Sequence, residues 1–589
     1  MARGEATDMV EEAGRTQGAP LSAQGGAGSE RLALARQALA AADFRAAADH
    51  LQAAMQALPA GLQPSASMRL ALACALAATG ALRESTDVVR RIAAPARNAL
   101  LRDPRTDRAL AEVLAVGWDA HQVQALLCAY AMRMGRWGYR AGFVEALHAI
   151  AGMRAGVPLH RSLVFDAFSF GQPDALVAAL SARFAEDRGA RPPPPPAKSL
   201  PDDGRRVRVA LLSGEWRRHP TCMLHRDLVA ALDRRRLHLT AIHLDPVTDH
   251  HTEDLRSLCD DWLHWPQPDP AAAARAMRER GFDIVWVLGS FQQTPVAEVL
   301  VHRPAPLAIN GLASYYPHGP ALVDYTVIDP LTVPPTVRPH WREALVLLPA
   351  SAYVLGPVPA EPPVTTTRAA LGWPEDRLVL AAPHQAYKLS PECAALWSAV
   401  LRRCPDALLW RVQGPALAER HWAQALQAHG VDPARQIVTP PVGWAEHQAR
   451  LACADLFLDA TPMGGHTTLL EALRQGVPAV TLHGPGPAGR IGHALLDAFG
   501  LREGCCADAA GYVETVVRWA QDPAVRRRWR EVLEARRPGG RGPLSPSLDP
   551  ARHARWWEAL LLHAWQRHRA GLPPASFTVE DQELVRPAP

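Results

Sequence analysis

From Arg31 to about Asp187 the apolar positions recur with the period of a helix. Ala38–Leu58 and Leu70–Ile92 each contain one short break, at Ala42-Asp43-Phe44 and at Thr79-Gly80-Ala81, so each predicts a pair of Ala-rich helices. At Val207 the period changes. Val207–Leu212 is a short apolar run bounded by polar residues, the mark of a buried strand, and similar runs follow at Leu237–Ile242, Ile284–Leu288, Leu307–Leu312 and Tyr325–Ile328. A second series starts at Leu378-Val379-Leu380 and continues through Ala407–Trp410, Ile437-Val438, Leu456–Leu458 and Ala479–Thr481. Helical patterns fall between several of these runs. Strands alternating with helices predict parallel sheets with crossover helices, and two series in tandem predict two doubly wound domains. A ligand is expected at the carboxyl ends of the strands, in the cleft between the two.

The boundaries follow from the same pattern. Residues 1–29 are rich in Gly, Ala, Ser and charge, show no period and are expected to be disordered. Residues 30–190 form an all-α domain. Its helix pairs resemble tetratricopeptide-type repeats in degenerate form, which stack to present a groove; an ordinary helical bundle fits the pattern equally. Arg191-Pro192-Pro193-Pro194-Pro195-Pro196 reads as a stiff linker, 191–205. Two Rossmann-like lobes occupy 206–360 and 361–565, and 566–589 is a C-terminal tail.

Composition narrows the classes. A chain of 589 residues is too long for one core. A net charge of +4 gives no argument for nucleic acid, and Arg234-Arg235-Arg236 and Arg526-Arg527-Arg528 read as solvated helix ends. The nine cysteines show no metal-ligand spacing, and their odd number, with no signal peptide in the sequence, predicts reduced thiols and a cytoplasmic location. No apolar run has membrane-spanning length.

The candidate chemistry lies where the strands end. Gly464-Gly465-His466-Thr467-Thr468 follows the run Leu456–Asp459 and opens a helical pattern that stops at Gln475-Gly476-Val477-Pro478. A strand, a Gly-rich turn and a helix start make an anion site, because free N–H groups and the positive end of the helix dipole point at the bound group. The same stretch is also compatible with a merely well-capped helix. Glu471 sits one turn further on and could accept from a ribose. Gln385-Ala386-Tyr387-Lys388 follows the first strand of the second series, and Glu446-His447 with Arg450 precedes Leu456. Lys388 can neutralise a phosphate as a point charge, Arg450 can fork onto one, and His447 and His466 can donate to one or stack on a base. After the first strand of the first series comes His219-Pro220-Thr221.

These landmarks, with Arg303-Pro304-Ala305-Pro306 and Trp397, keep their order over roughly 205–565 and resemble the catalytic region of the O-GlcNAc transferases, glycosyltransferase family 41. The resemblance implies a GT-B fold with an acceptor-binding tetratricopeptide region before it. It implies a UDP-sugar donor, a protein or peptide acceptor, no cofactor and no metal. Carried over, Lys388 holds the diphosphate, with Gly465, His466, Thr467 and Thr468 around it. Gln385 and His447 lie against the uridine, Arg450 takes the family's arginine position, and Glu471 takes the ribose position. His219 faces the sugar and acceptor and is the candidate base, its reference pKa being near neutrality. The implied reaction is an inverting, metal-independent transfer of GlcNAc or another hexose to Ser/Thr. The alternatives are an adhesin-type N-glucosyltransferase acting on Asn, or a catalytically degenerate binding protein. Departures cluster in the sugar and acceptor half. Leu288-Gly289-Ser290-Phe291-Gln292-Gln293 and Ala313–Gly319 replace the family's glycine-tyrosine segments, Asp283 stands where the animal enzymes have histidine, and Trp444 stands near the family's basic residue.

Overall fold

The computed structural model describes residues 27–58, 63–64, 66–92, 119–153, 157–193, 204–289, 291, 295–311, 314–356, 364–581 and 585–587. The expected disordered tail lies outside the described residues up to residue 26, and a helix already runs over Ala27–Ala40. Most of the proline linker also lies outside them.

The chain forms two compact units, residues 1–166 with 414–422, and residues 167–413 with 423–589. In the first, the two Ala-rich segments are helix pairs, Ala27–Ala40 with Phe44–Gln56 and Ala66–Ala78 with Leu82–Arg90. Ala35, Ala42, Ala47, Ala71 and Ala75 are fully buried in their shared core with Leu51 and Phe44. Small side chains at facing positions let the backbones approach closely, which is why this segment is so rich in alanine.

The second unit holds two parallel sheets. The strands are β1 Val207–Ser213, β2 Leu237–His243, β3 Asp261–His264, β4 Ile284–Val287, β5 Leu307–Gly311, β6 Tyr325–Ile328 and β7 Ala344–Leu347. They continue with β8 Val379–Ala381, β9 Leu408–Val412, β10 Gln436–Thr439, β11 Leu456–Leu458, β12 Ala479–Leu482, β13 Cys505–Cys506, β14 Phe577–Val579 and β15 Val585–Pro587. The first sheet runs β15-β14-β7-β6-β5-β4-β1-β2-β3 and the second β10-β9-β8-β11-β12-β13. All pairings are parallel except β14 with β15. The central strands are buried on both faces, as crossover helices require, and so read as continuous apolar runs. In each sheet the first strand of the series lies inside, with successors on both sides. The order therefore reverses between β1 and β4, and between β8 and β11.

Five strands were not expected from the sequence. β3 is a half-exposed edge with the polar pattern Asp-Trp-Leu-His. β7 follows β6 with only a short 3₁₀ turn at Arg338–His340 between them, so the strand–helix alternation passes over it. β13 has two residues. β14 and β15 lie in what the sequence presented as a C-terminal tail. The preceding helix, Pro550–Arg569, was assigned to the second lobe up to residue 565, yet it packs on the first sheet. The Trp557 ring stacks on Trp286 of β4 at 3.9 Å, and a Cβ on Gly311 of β5 would meet the Trp557 ring at 2.3 Å. Glu558 accepts from Asp233 N at 2.7 Å. No described helix is long and apolar enough to cross a membrane.

Candidate active site

The reversal between β8 and β11 opens a crevice at their carboxyl ends, the usual ligand position of a doubly wound sheet. Lys388 ends the 3₁₀ turn that follows β8. Its Nζ donates to Gly464 O at 2.7 Å and Gly465 O at 3.3 Å, in the loop after β11. Burial pulls its pKa down to about 8, against the attraction of Asp459. Asp459 follows β11 directly and accepts from Gly465 N (2.5 Å), Ala460 N (3.0 Å) and Thr481 Oγ1 (2.7 Å). Burial raises its pKa. The glycines are required here: a Cβ at 464 would meet Asp459 at 2.9 Å and one at 465 at 3.1 Å.

His466 caps the helix Thr467–Arg474 with φ +51°, a left-handed conformation costly for histidine. The surroundings enforce it. Nε2 lies 3.0 Å from Ala488 O, and Nδ1 lies 3.4 Å from Tyr353 Oη. Burial, then the nearby Lys388, lowers its pKa to about 3, so the ring is neutral. Thr467 and Thr468 are half-buried in the first turn, and their hydroxyls make no hydrogen bond among the described residues. Lys388, Gly465, His466 and the two threonines therefore surround one helix N-terminus.

The other site candidates form neighbouring groups. Glu471 is buried and accepts from Trp444 Nε1 at 2.7 Å; burial raises its pKa to about 6. Arg474 lies over the Trp444 ring at 4.9 Å. The indole that replaces a basic residue thus joins the helices Trp444–Ala452 and Thr467–Arg474. Arg450 does not offer a free fork: its Nη atoms donate to Pro440 O (3.1 Å) and Glu446 (2.6 Å). His447 is half-buried beside Trp410 at 6.0 Å, with its pKa lowered to about 4 by burial and then by Arg450. Gln385 is exposed at the start of the 3₁₀ turn that carries Lys388.

In the first sheet the reversal between β1 and β4 is marked by Glu215 and Gly289, where a Cβ on the glycine would meet Glu215 at 2.8 Å. His219 caps the helix Pro220–Ala231, and its Nδ1 lies 3.3 Å from both Thr221 N and Glu215 Oε2. Burial lowers its pKa, and the Glu215 carboxylate opposes the shift. Arg218 beside it reaches Val442 O in the second lobe at 3.5 Å. The segments that depart from the family pair up in an aromatic cluster. Phe291 lies 4.1 Å from His318, which lies 4.3 Å from Tyr316, and Tyr315 packs on Tyr353 at 5.4 Å. Ser290, Gln292, Gln293 and Ala313 lie outside the described residues. Asp283 is at the amino end of β4, opposite the ligand face, where Arg205 (2.6 and 2.8 Å) and Arg208 N (2.8 Å) bind it. Its position makes it a structural anchor for the strand.

Sequence reasoning passed over Asp459, His384 and Glu215. His384 is buried against Trp397, with Nε2 2.8 Å from Leu458 O. The available signal was positional, since each stands at or just past the carboxyl end of a central strand. Two doubly wound lobes with a cationic cradle at a switch point define the GT-B class. Residues 356–540 match the model of Glycosyl transferase family 41. The chain is 26% identical over 393 residues to an Arabidopsis thaliana protein, "Probable UDP-N-acetylglucosamine--peptide N-acetylglucosaminyltransferase SEC", a match that covers 65% of this chain and 39% of that one. It is 29% identical over 208 residues to a Caenorhabditis elegans UDP-N-acetylglucosamine--peptide N-acetylglucosaminyltransferase, covering 35% and 18%. The matched region thus spans well under half of either relative. A solved mutant of Thermobaculum terrenum O-GlcNAc transferase has the same fold, with 23% identity, coverage of 92% and 97%, and a TM-score of 0.64.

Proposed function

We propose that this protein transfers a sugar, GlcNAc or another hexose, from a UDP-sugar to a serine or threonine of a protein acceptor, with inversion and without a divalent metal. The observation that carries this reading is the buried Lys388 ammonium at the N-terminus of Thr467–Arg474. A leaving diphosphate displaces the two glycine carbonyls from Nζ and takes the free N–H groups and threonine hydroxyls of the first turn. A preorganised cation and helix dipole in a site with little water stabilise charge where it develops. Glu471 and Gln385 flank the nucleoside. His219 is the base for the acceptor proton. Its Nδ1 accepts from Thr221 N and lies 3.3 Å from Glu215 Oε2, which holds the ring in place. The names of the relatives, peptide N-acetylglucosaminyltransferases, support a peptide acceptor.

Calorimetry with UDP, with and without added Mg²⁺ or Mn²⁺, tests the donor half. Unchanged affinity is expected, and binding only in the presence of the added ion would sink the metal-free reading.

A further inference from the structure

The loop that supports the donor cradle carries a second cluster at its far end. His483 follows β12, His493 lies on the helix Ile491–Ala498, and Cys505 opens β13, which pairs with β12 through Thr481 and Leu482. One ligand atom from each residue lies within 4.8 Å of the other two. The two imidazoles stack at 4.2 Å and 23°. His483 Nε2 and His493 Nδ1 are buried without a hydrogen-bond partner in the protein. Burying a polar nitrogen unpaired is costly, and such an atom calls for an explanation. The nearby guanidiniums are engaged elsewhere: Arg490 Nε donates to Leu331 O at 3.0 Å, and Arg502 pairs with Asp497. Cys506, next in the strand, points into the core and takes no part.

We propose that His483, His493 and Cys505 form a binding site for a zinc-class divalent ion. Two imidazoles and a thiolate are a borderline-soft donor set suited to Zn²⁺, with a fourth position left to water. Bonds of about 2.0–2.3 Å draw the three ligand atoms closer together than the 4.8 Å within which they lie here. On binding, the Cys505 thiol gives its proton to solvent and the imidazoles bind through lone pairs. The ligands are ten and twelve residues apart and come from a loop, a helix and an edge strand. No short motif marks them, and only the fold brings them together. The ion fastens one end of loop 483–490. The other end supplies Ala488 O, which accepts from Gly464 N at 3.0 Å and lies 3.0 Å from His466 Nε2.

The test is titration of the reduced, metal-free full chain with Co²⁺, followed by displacement with Zn²⁺. One equivalent is expected to give a near-ultraviolet thiolate-to-cobalt band and tetrahedral visible absorption, both lost on adding Zn²⁺. Cys505→Ser is expected to remove the near-ultraviolet band. His483→Ala is expected to weaken Co²⁺ binding at least about tenfold, and Cys506→Ser to change neither. Zn²⁺ should raise the melting temperature of the wild type and leave that of Cys505→Ser unmoved. The absence of a thiolate band in the folded wild type, or its survival in Cys505→Ser, overturns the site. Cys505→Ser is close to isosteric, so it remains a folded control should His483→Ala unfold.

Discussion

Lys388 is buried, and its ammonium donates to two glycine carbonyls. Its stem adds little packing that methionine could not replace. Lys388→Met is therefore expected to remove roughly 2–4 kcal/mol of transition-state stabilisation, read as a fall in kcat/KM for UDP-sugar turnover with the melting temperature held. A lower melting temperature with turnover intact would make Lys388 structural. The same residue sets a pH dependence. With its folded pKa lowered to about 8, the free protein loses this proton as pH rises through that value, while a bound diphosphate holds it. The rings facing it, His384 and His466, have pKa values near 3 and stay neutral across the range, and burial raises the carboxyl of Asp459. UDP is fully ionised above pH 7.5, its last phosphate pKa being about 6. Its dissociation constant is expected to climb up to about tenfold per pH unit above pH 8. Calorimetry between pH 7.5 and 9.5 reads this directly, and a flat profile would show that Lys388 does not hold the nucleotide's charge.

At the level of elements, the helix Pro550–Arg569 ties the end of the chain to the first sheet. Trp557 is fully buried between β4 and β5, and Gly311 is the residue that leaves room for its ring. Trp557→Ala is expected to cost about 3–5 kcal/mol, measured by denaturant unfolding. UDP affinity in the folded variant should be unchanged, because the cradle lies on the other sheet. Phe291, Tyr316 and His318 pack against one another and Tyr315 packs on Tyr353, so these two segments are held in the core by ring contacts.

On the scale of the whole molecule, the first unit ends at Asp166, inside the helix Arg161–Ser169, and Asp174–Glu186 belongs with the sheets. A Cβ on Gly171 would meet Pro462 at 2.5 Å, and one on Gly486 would meet Asp174 at 2.7 Å, so this helix packs beside the loops that follow β11 and β12. A truncation that spares the nucleotide site must begin before Arg161 rather than at the proline run. A chain starting at Pro158, folded by circular dichroism, is expected to keep its UDP affinity and to lose transfer to protein acceptors, since stacked repeats supply extended contacts. Equal rates on the acceptor would leave acceptor choice to the loops around Phe291 and Tyr315.

The sequence by itself determined where helix gives way to strand, which runs are buried, and which residue types stand at the strand ends. Ala-rich pairs, the change of period at Val207, and the stretches around Lys388 and His466 are local patterns, and local geometry writes them directly into the order of residues. Tertiary structure decided the rest. The insertion of β1 and β8 into the interior of their sheets creates the two switch points, and strand order depends on long-range pairing that no period encodes. Asp459 becomes a hub because the loop folds back on it, and Glu215 backs His219 across a turn. Asp283 fell at the wrong end of its strand for chemistry. Arg450 spends its fork on Pro440 and Glu446. The C-terminal strands join a sheet begun more than two hundred residues earlier, and the His483, His493 and Cys505 side chains converge from three elements. In each case the deciding contact joins side chains whose spacing has no period, so it follows only from burying both lobes' surfaces together.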